Sequence, residues 1–259
     1  MNGWFKELSR RDRALYRFGL LNLGLLVLAM VMYLVDQTEV MGINAWIKPM
    51  KFALSIAIYS WTYGWLLGYC QDEKARRLIR LGLIITMTAE IVLIYLQAFR
   101  GTSSHFNIHT PVDGIIFGVM GFFIAINSLI NLYTIVIFFG GKIQLTGTSL
   151  WAWRSGLILF FLGGISGGWM VQHLAHTVGA PDGGPGLPFL NWSTLAGDIR
   201  PAHFVTLHAL QFIPLAAFGL ESINATTARR WTLVVIILYT VLSLYLHLLA
   251  WKGIPVIHG

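Results

Sequence analysis

Histidine is the residue type in this chain best suited to chemistry, and its positions are strongly one-sided. When the long apolar segments are threaded back and forth across a bilayer, all the histidines fall at or near the side opposite the N-terminus. Imidazole binds transition metals and haem iron and exchanges protons near neutral pH. The sequence therefore predicts a histidine-rich site near that face, which we call the outer face. The eight histidines are His105, His109, His173, His176, His203, His208, His247 and His258.

The spacing of the histidines predicts two tiers of metal ligands. Residues three or four apart share a helix face, as His173 and His176 do. Five residues rotate a helix by about 140° and advance it by about 7.5 Å, so His203 and His208 are not natural ligands of one ion. The predicted inner tier, at similar depth on three helices, is His173, His208 and His247. The predicted outer tier is His105, His109, His176 and His203.

The composition predicts an all-α integral membrane protein. Of the 259 residues, 56% are hydrophobic and 11% are charged, whereas soluble domains carry about 25% charged residues. One membrane domain with seven transmembrane helices is expected, each near the ~20 residues that a bilayer requires. The single cysteine, Cys70, excludes an internal disulfide and a thiolate-rich metal site. The predicted spans are 15–35, 49–70, 79–98, 111–138, 151–173, 202–220 and 231–251.

The distribution of basic residues predicts the topology. Thirteen of the 18 lysines and arginines fall on the N-terminal side of the seven spans. The positive-inside rule then places the N-terminus in the cytoplasm and the C-terminus outside. We expect a plasma-type membrane such as a bacterial inner membrane, with membrane lipid as a partner and no nucleic acid. The long outer loop, 174–201, is rich in glycine and proline and is expected to form a lid or to stay mobile.

Three polar side chains within the spans are candidate functional groups. Glu90 lies in the middle of the third span, and Gln97 lies seven residues further on the same face. Ionisable residues are costly inside a membrane and therefore indicate function. Glu90 is predicted to carry protons or to contact a substrate, and the alternative is a hydrogen bond between helices. Gln211, one turn from His208, is predicted to orient its ring.

Five basic residues violate the charge rule on the outer face, and four of them predict an anion-binding site. Helix starts already attract anions through their unpaired N–H groups. Haem propionates, a lipid phosphate or a carboxylate substrate would suit such a site. Asp113, Asp182 and Asp198 could neutralise part of this charge in plain ion pairs, and Asp113 or Asp198 could instead act as a catalytic group. The predicted cofactor-binding residues are Lys48, Lys51, Arg100, Arg200 and Gln211.

The fifth span contains two pairs of glycines spaced four apart. They are Gly163 with Gly167 and Gly164 with Gly168. Small residues at this spacing are typical of close helix packing in membranes. The alternative is that they leave room for a flat ligand such as a porphyrin.

The favoured hypothesis is a membrane oxidoreductase that contains haem b. Two of His173, His208 and His247 would be axial ligands, outer cations would hold the propionates, and Glu90 would handle protons. A quinone or another small anionic molecule would be its partner. The metal stays open between iron, copper and zinc.

Two alternatives belong to other functional classes. One is a zinc-dependent membrane hydrolase acting on a lipid-like or anionic substrate, with three histidines on the ion and one position open for water. Asp113 or Asp198 would then be the fourth ligand or the general base. The other is a proton-coupled anion transporter or sensor, in which Glu90 and the outer cations form the pathway.

Overall fold

The chain is helical over most of its length. In the computed structural model, residues 2–258 are described, without the side chain of Asn2. Two antiparallel pairs of two-residue strands interrupt the helices. Strand β1 (Glu39–Val40) pairs with β2 (Ile43–Asn44), and β3 (Thr177–Val178) pairs with β4 (Gly197–Asp198). The helices of this range are α1 (Asn2–Arg11), α2 (Arg13–Val35), α3 (Ile47–Leu67), α4 (Glu73–Phe99), α5 (Pro111–Gly140), α6 (Gly147–His173), α7 (Ile199–Ile223) and α8 (Ala225–Trp251).

Six of these helices are long and apolar enough to cross a membrane, namely α2 and α4 to α8. Helix α3 occupies the position of the predicted second span but is not among the six. Its sequence is more polar, with Lys48 and Lys51 near its start. Burial explains this polarity, since 12 residues of this 21-residue helix are buried, against five of 23 in α2. A helix shielded by its neighbours needs less apolar surface than one that faces lipid.

The chain forms two compact units. The N-terminal unit comprises Met1–Tyr133 and Gly141–Ile143, and so contains α1 to α4 and most of α5. The C-terminal unit comprises Thr134–Gly140 and Gln144–Gly259, with α6, α7, α8 and the long loop. Each unit carries part of the predicted site residues, and each is described separately below.

A buried ion pair anchors the start of the N-terminal unit. Asp12 lies between α1 and α2, is 3% exposed, and accepts a hydrogen bond from Leu15 N that caps α2. Its second oxygen binds Arg80 Nε of α4 at 2.6 Å. Leu8 of α1 is fully buried and would contact a Cβ placed at Gly64 of α3. Helix α1 is therefore held against α2, α3 and α4.

Helices α2 and α3 approach closely at Gly19. A Cβ built on Gly19 would lie 2.0 Å from Nε1 of Trp61. The Trp61 indole fills this space and donates a hydrogen bond to Tyr16 O at 3.1 Å. The glycine is therefore required by packing, because any larger side chain displaces the indole.

The three helices of the C-terminal unit pack through small residues. A Cβ on Gly156 of α6 would lie 3.1 Å from Ala209 O of α7. Ala209 and Ile213 belong to a buried apolar cluster that also includes Leu159 of α6. This close approach is the packing that the small-residue pattern of α6 predicts.

The long loop of the C-terminal unit is folded against the end of α8. A Cβ on Gly197 of β4 would lie 2.1 Å from Ala250 O. Strand β4 pairs with β3, so both ends of the loop are tied together. The loop therefore has a defined position on this unit, as a lid would have.

Replacing Gly19 with alanine should destabilise the protein by about 1–3 kcal/mol, because the added methyl group overlaps Trp61. The free energy of unfolding in detergent measures the effect. Gly24→Ala, in the same helix, is the matched control because a Cβ there meets no atom within 4 Å. Equal stability of the two variants would contradict the packing role of Gly19.

Candidate functional site

Glu90 is the most isolated ionisable group in the N-terminal unit. It lies on α4, is 1% exposed, and neither carboxylate oxygen has a hydrogen-bond partner among residues 2–258. Lys48 of α3 is near enough to act on it electrostatically. An ionised carboxyl without hydrogen bonds is very costly in an apolar interior, and such a group becomes neutral by taking up a proton. Glu90 therefore has the environment of a proton-binding group.

Lys48 meets a histidine at the start of α3. Its Nζ lies 3.1 Å from Nδ1 of His105, and Ser104 Oγ lies 3.0 Å from the same nitrogen. An ammonium group can only donate, so Nδ1 accepts and a neutral His105 carries its proton on Nε2. The segment 101–110 that contains His105 is a loop. His109, on the same loop, is exposed.

An apolar layer adjoins Glu90. Ile94 follows Glu90 by one turn, about 6 Å along α4, toward the helix end that precedes His105. It forms a buried cluster with Ile116 and Met120 of α5, and Phe52 of α3 packs against this cluster. Along α4, apolar side chains therefore separate the buried carboxyl from the end where Lys48 and His105 meet.

A ladder of buried polar side chains continues on the other side of Glu90. Tyr59 OH donates to Asn127 Oδ1 at 3.1 Å, and Asn127 Nδ2 donates to Thr86 Oγ1 at 3.0 Å. Asn131 Nδ2 donates to Tyr63 OH at 2.8 Å. The two tyrosine rings lie 4.8 Å apart. Thr86 is one helical turn from the carboxyl, so this polar ladder links the middle of α4 to α3 and α5.

The sequence contains a signal for the polar ladder, which is the spacing of its asparagines and tyrosines. Asn127 and Asn131 of α5 each contact another helix. Tyr59 and Tyr63 were not singled out. Each pair is spaced by four residues, and this spacing places both members on one helix face. One such pair lies on α3 and the other on α5, and two polar pairs on otherwise apolar helices predict that these two helix faces contact each other.

Arg100 and Asp113, both predicted site residues, bind each other. Arg100 Nη1 lies 2.7 Å from Asp113 Oδ1. Gln97 Nε2 donates to the same oxygen at 3.0 Å, and Thr110 Oγ1 donates to Oδ2 at 2.7 Å. Thr110 Oγ1 also accepts from Asp113 N and so caps the start of α5. The plain ion pair therefore accounts for the burial of Asp113.

In the C-terminal unit, His203 is fixed against α6. Its Nδ1 lies 2.8 Å from Gly163 O and 3.2 Å from Ser166 Oγ. A Cβ on Gly167 would lie 3.0 Å from its Cε1. The glycines at 163 and 167 therefore allow close helix packing, with the His203 ring seated against them. In the second pair, Gly164 with Gly168, packing does not require a glycine at 168, since a Cβ there meets no atom within 4 Å.

Several histidines of this unit lie close together. His176, His208 and His247 are near enough to His203 that a charge on one of these rings would act on it. His247 is 9% exposed, and its Nδ1 lies 2.8 Å from Ser243 O. Because a carbonyl can only accept, Nδ1 is the donor in both His203 and His247, and a neutral ring then has its lone pair on Nε2. Metal-ligating histidines commonly have this arrangement.

The grouping differs from the predicted tiers. His203, assigned to the outer tier, is the histidine that lies near the others. His173, assigned to the inner tier, is exposed and stacks on Trp169 of its own helix, with ring centroids 3.9 Å apart. The ring of His208 contacts that of Phe204, with centroids 4.3 Å apart, and its orientation by Gln211 stays a prediction.

Residues 2–258 contain no preformed site in which three or more side chains could bind a metal ion. Within the part of the chain that the structure describes, no group of three His, Cys, Asp or Glu residues is arranged to hold a metal ion. A haem with two axial histidines requires no such group. The predicted metal and haem ligands therefore stay predictions.

Asp198 and Arg200 form the second ion pair among the predicted site residues. Asp198 is 1% exposed and caps α7 through Arg200 N. Its oxygens accept from Arg200 Nη2 at 2.6 Å and from Nε at 3.0 Å. Ser193 N also donates to this carboxylate. The charge of Arg200 is therefore balanced within the unit.

Asp182 organises the long loop. It accepts hydrogen bonds from His176 N, from Thr177 N and Oγ1, and from His176 Nδ1 at 2.5 Å. Burial raises the pKa of this carboxyl, but the hydrogen bonds and the charge of the His176 ring outweigh burial and hold the pKa below its ordinary value. The sequence predicts only that Asp182 neutralises part of the outer charge, and its observed partners, His176 and Thr177, depend on how the loop folds.

Comparison with protein-family models, curated proteins and solved structures finds no match to this chain.

We expect Asp182→Asn to loosen the loop. A lowered carboxyl pKa stabilises the folded loop above the unfolded value of about 3.9, and this stabilisation is lost as the pH falls through the folded pKa. Hydrogen exchange at the amides of His176 and Thr177 measures it. The wild-type protein should keep its protection at pH 5 and lose it only below about pH 4.

The variant should lack this protection already at pH 7. Asp36→Asn is the control, because Asp36 holds a turn of the N-terminal unit through Thr38 N. It should leave exchange at residues 176 and 177 unchanged. Full protection in Asp182→Asn would show that the strand pairing alone holds the loop.

Proposed function

We propose that this protein is a proton-coupled membrane transporter of a small anion. The observation that carries the proposal is Glu90, a carboxyl 1% exposed, without a hydrogen-bond partner for either oxygen within residues 2–258, and under the influence of Lys48. Ionisable groups inside membrane proteins mark proton and ion pathways, because their burial is otherwise too costly.

The coupling between anion and proton follows from Coulomb's law. The charge of Lys48 favours the ionised form of Glu90. An anion bound to the Lys48 ammonium screens this charge, so the carboxyl then favours the protonated form. Proton binding in turn strengthens anion binding, because such coupling is reciprocal. The pair therefore favours symport, in which one anion and one proton bind together.

The surroundings of Glu90 support alternating exposure. The apolar layer of Ile94, Ile116 and Met120 adjoins the carboxyl on the side of His105. The polar ladder begins at Thr86 on the other side. Transport requires that a binding site open to only one side of the membrane at a time. The apolar layer would be the barrier on one side of Glu90, and the polar ladder would be the route on the other side.

The proposed topology has seven spans. Six helices meet the length and composition of a span, and α3, enclosed by its neighbours, is the seventh. The excess of basic residues on the N-terminal side supports a cytoplasmic N-terminus. In this orientation the start of α3, with Lys48 and Lys51, faces the outside and receives the anion.

Glu90→Gln should abolish uptake driven by a proton gradient, since an amide cannot exchange the proton. Purified protein in liposomes is tested with a panel of small carboxylates and phosphates, and internal pH is followed with a trapped dye. Glu73→Gln is the matched control, because this α4 carboxylate is 68% exposed, and it should transport normally. Proton-driven uptake that survives in Glu90→Gln would refute the proposal, as would absence of uptake in the wild-type protein.

The paired histidines of the C-terminal unit favour a second candidate function, haem-based electron transfer. His203 and His247 lie on neighbouring helices, and each has Nδ1 bound to a backbone carbonyl. Two histidines from different helices can hold a haem within a bundle. A bound haem would supply one-electron chemistry, and this unit would supply the two imidazoles.

This candidate predicts a Soret band in the purified protein. The band should disappear in His203→Ala and persist in His173→Ala, whose parent side chain is exposed and stacks on its own helix. Metal analysis of the same preparation tests the zinc-dependent hydrolase, which requires stoichiometric zinc. A colourless preparation without iron, copper or zinc would refute both the haem and the zinc hypotheses.

A further inference from the structure

A groove on the surface of the N-terminal unit runs between α1, α2 and α3. Its volume is about 560 Å³. Lys6 and Ser9 of α1 line one part of the groove, and Tyr16, Leu20 and Trp61 line another. The groove is independent of Glu90 and of the histidines, and the functions proposed above make no use of it.

The groove has polar groups at one end only: Lys6 and Ser9 lie there beside Phe5, and the rest of the groove along α2 is mainly apolar. Tyr16, Leu20 and Leu23 lie at helical spacing on one face of α2 and extend over about 10 Å. Leu20 is 43% exposed, so this stripe is open to an occupant. Lys6 and Ser9 lie on α1, which precedes α2 and therefore adjoins the Tyr16 end. A lipid has the same profile, with a polar headgroup followed by apolar chains.

Positive charge is concentrated at the polar end. Arg13 and Arg17 each precede a groove residue of α2 by three positions, which places them on the same helix face. Lys6, Arg13 and Arg17 are exposed, and none forms an ion pair within residues 2–258.

The acids nearby are bound to other cations. Glu7 binds Arg10 and Arg11, and Asp12 binds Arg80. Neither acid therefore neutralises Lys6, Arg13 or Arg17, and the end of the groove next to α1 carries an excess of at least three positive charges.

We propose that this groove binds one anionic phospholipid from the leaflet on the N-terminal side. The phosphate lies among Lys6, Arg13 and Arg17, and an acyl chain follows Leu20 and Leu23. Basic residues next to a membrane surface attract anionic headgroups, and the apolar stripe holds the chain by burying its methylene groups. A zwitterionic lipid fits the stripe equally well but lacks the net charge that these three cations favour.

The charge part of the proposal is tested with the full-length protein and two variants of equal charge change. One is Lys6→Gln with Arg13→Gln and Arg17→Gln. The matched control is Lys74→Gln with Arg77→Gln and Lys142→Gln, three exposed cations of the same unit without ion pairs among the described residues. Native mass spectrometry measures retained phosphatidylglycerol and phosphatidylcholine over a titration of each.

We expect the wild-type protein to retain one phosphatidylglycerol in preference to phosphatidylcholine. The groove variant should bind phosphatidylglycerol roughly tenfold more weakly or worse, while the control should match the wild-type protein. Equal weakening in both variants would show a general surface charge and overturn the proposal. Equal retention of both lipids by the wild-type protein would also overturn it.

The chain part of the proposal is tested by filling the groove. Leu23→Trp leaves all three cations in place and occupies the stripe. It should lower phosphatidylglycerol retention without changing the protein's thermal stability in detergent. Unchanged retention would show that the headgroup alone is bound at the surface, and that the groove is not an acyl-chain site.

Discussion

The cost of placing charge in an apolar interior constrains most of this structure. A buried carboxylate is tolerated when a cation and hydrogen bonds balance it, and three carboxylates in this chain meet that condition. Each of these carboxylates lies at the start of a helix and fixes the position of an arginine side chain. The three pairs are Asp12 with Arg80, Asp113 with Arg100, and Asp198 with Arg200.

Glu90 differs from these three carboxylates. It is equally buried, yet its oxygens have no hydrogen-bond partner within residues 2–258. The charge of Lys48 acts on this carboxyl only at a distance, without a hydrogen bond. A structural carboxyl in this position would be expected to have acquired a partner, as Asp113 has. The uncompensated burial is therefore better explained by a group that changes its protonation state during function. The polar ladder from Thr86 to Asn131 and the apolar layer around Ile94 lie on opposite sides of it along α4.

The histidines of the C-terminal unit follow a related constraint. An imidazole that is shielded from water must satisfy its N–H group, and the half-buried His203 and the buried His247 do so with backbone carbonyls. This fixes the orientation of each ring and the position of its lone pair. Gly167 is part of the same arrangement, because a side chain there would meet the His203 ring. The one-sided distribution of histidines in the sequence thus corresponds, within this unit, to a group of rings that lie near one another.

The sequence by itself determined the helices, because long apolar runs are local features of the chain. All seven predicted spans correspond to helices, with ends shifted by a few residues, and the buried position of Glu90 followed from its place in the third run. Neutralisation of Arg200 by Asp198 in a plain ion pair was among the alternatives, because the two residues are only two positions apart. Only the tertiary structure decided which side chains meet, such as Lys48 with His105 or His203 with Gly163. Such partners lie 40 or more residues apart, and their contact depends on helix rotation and on the fold of loops, which hydropathy does not encode.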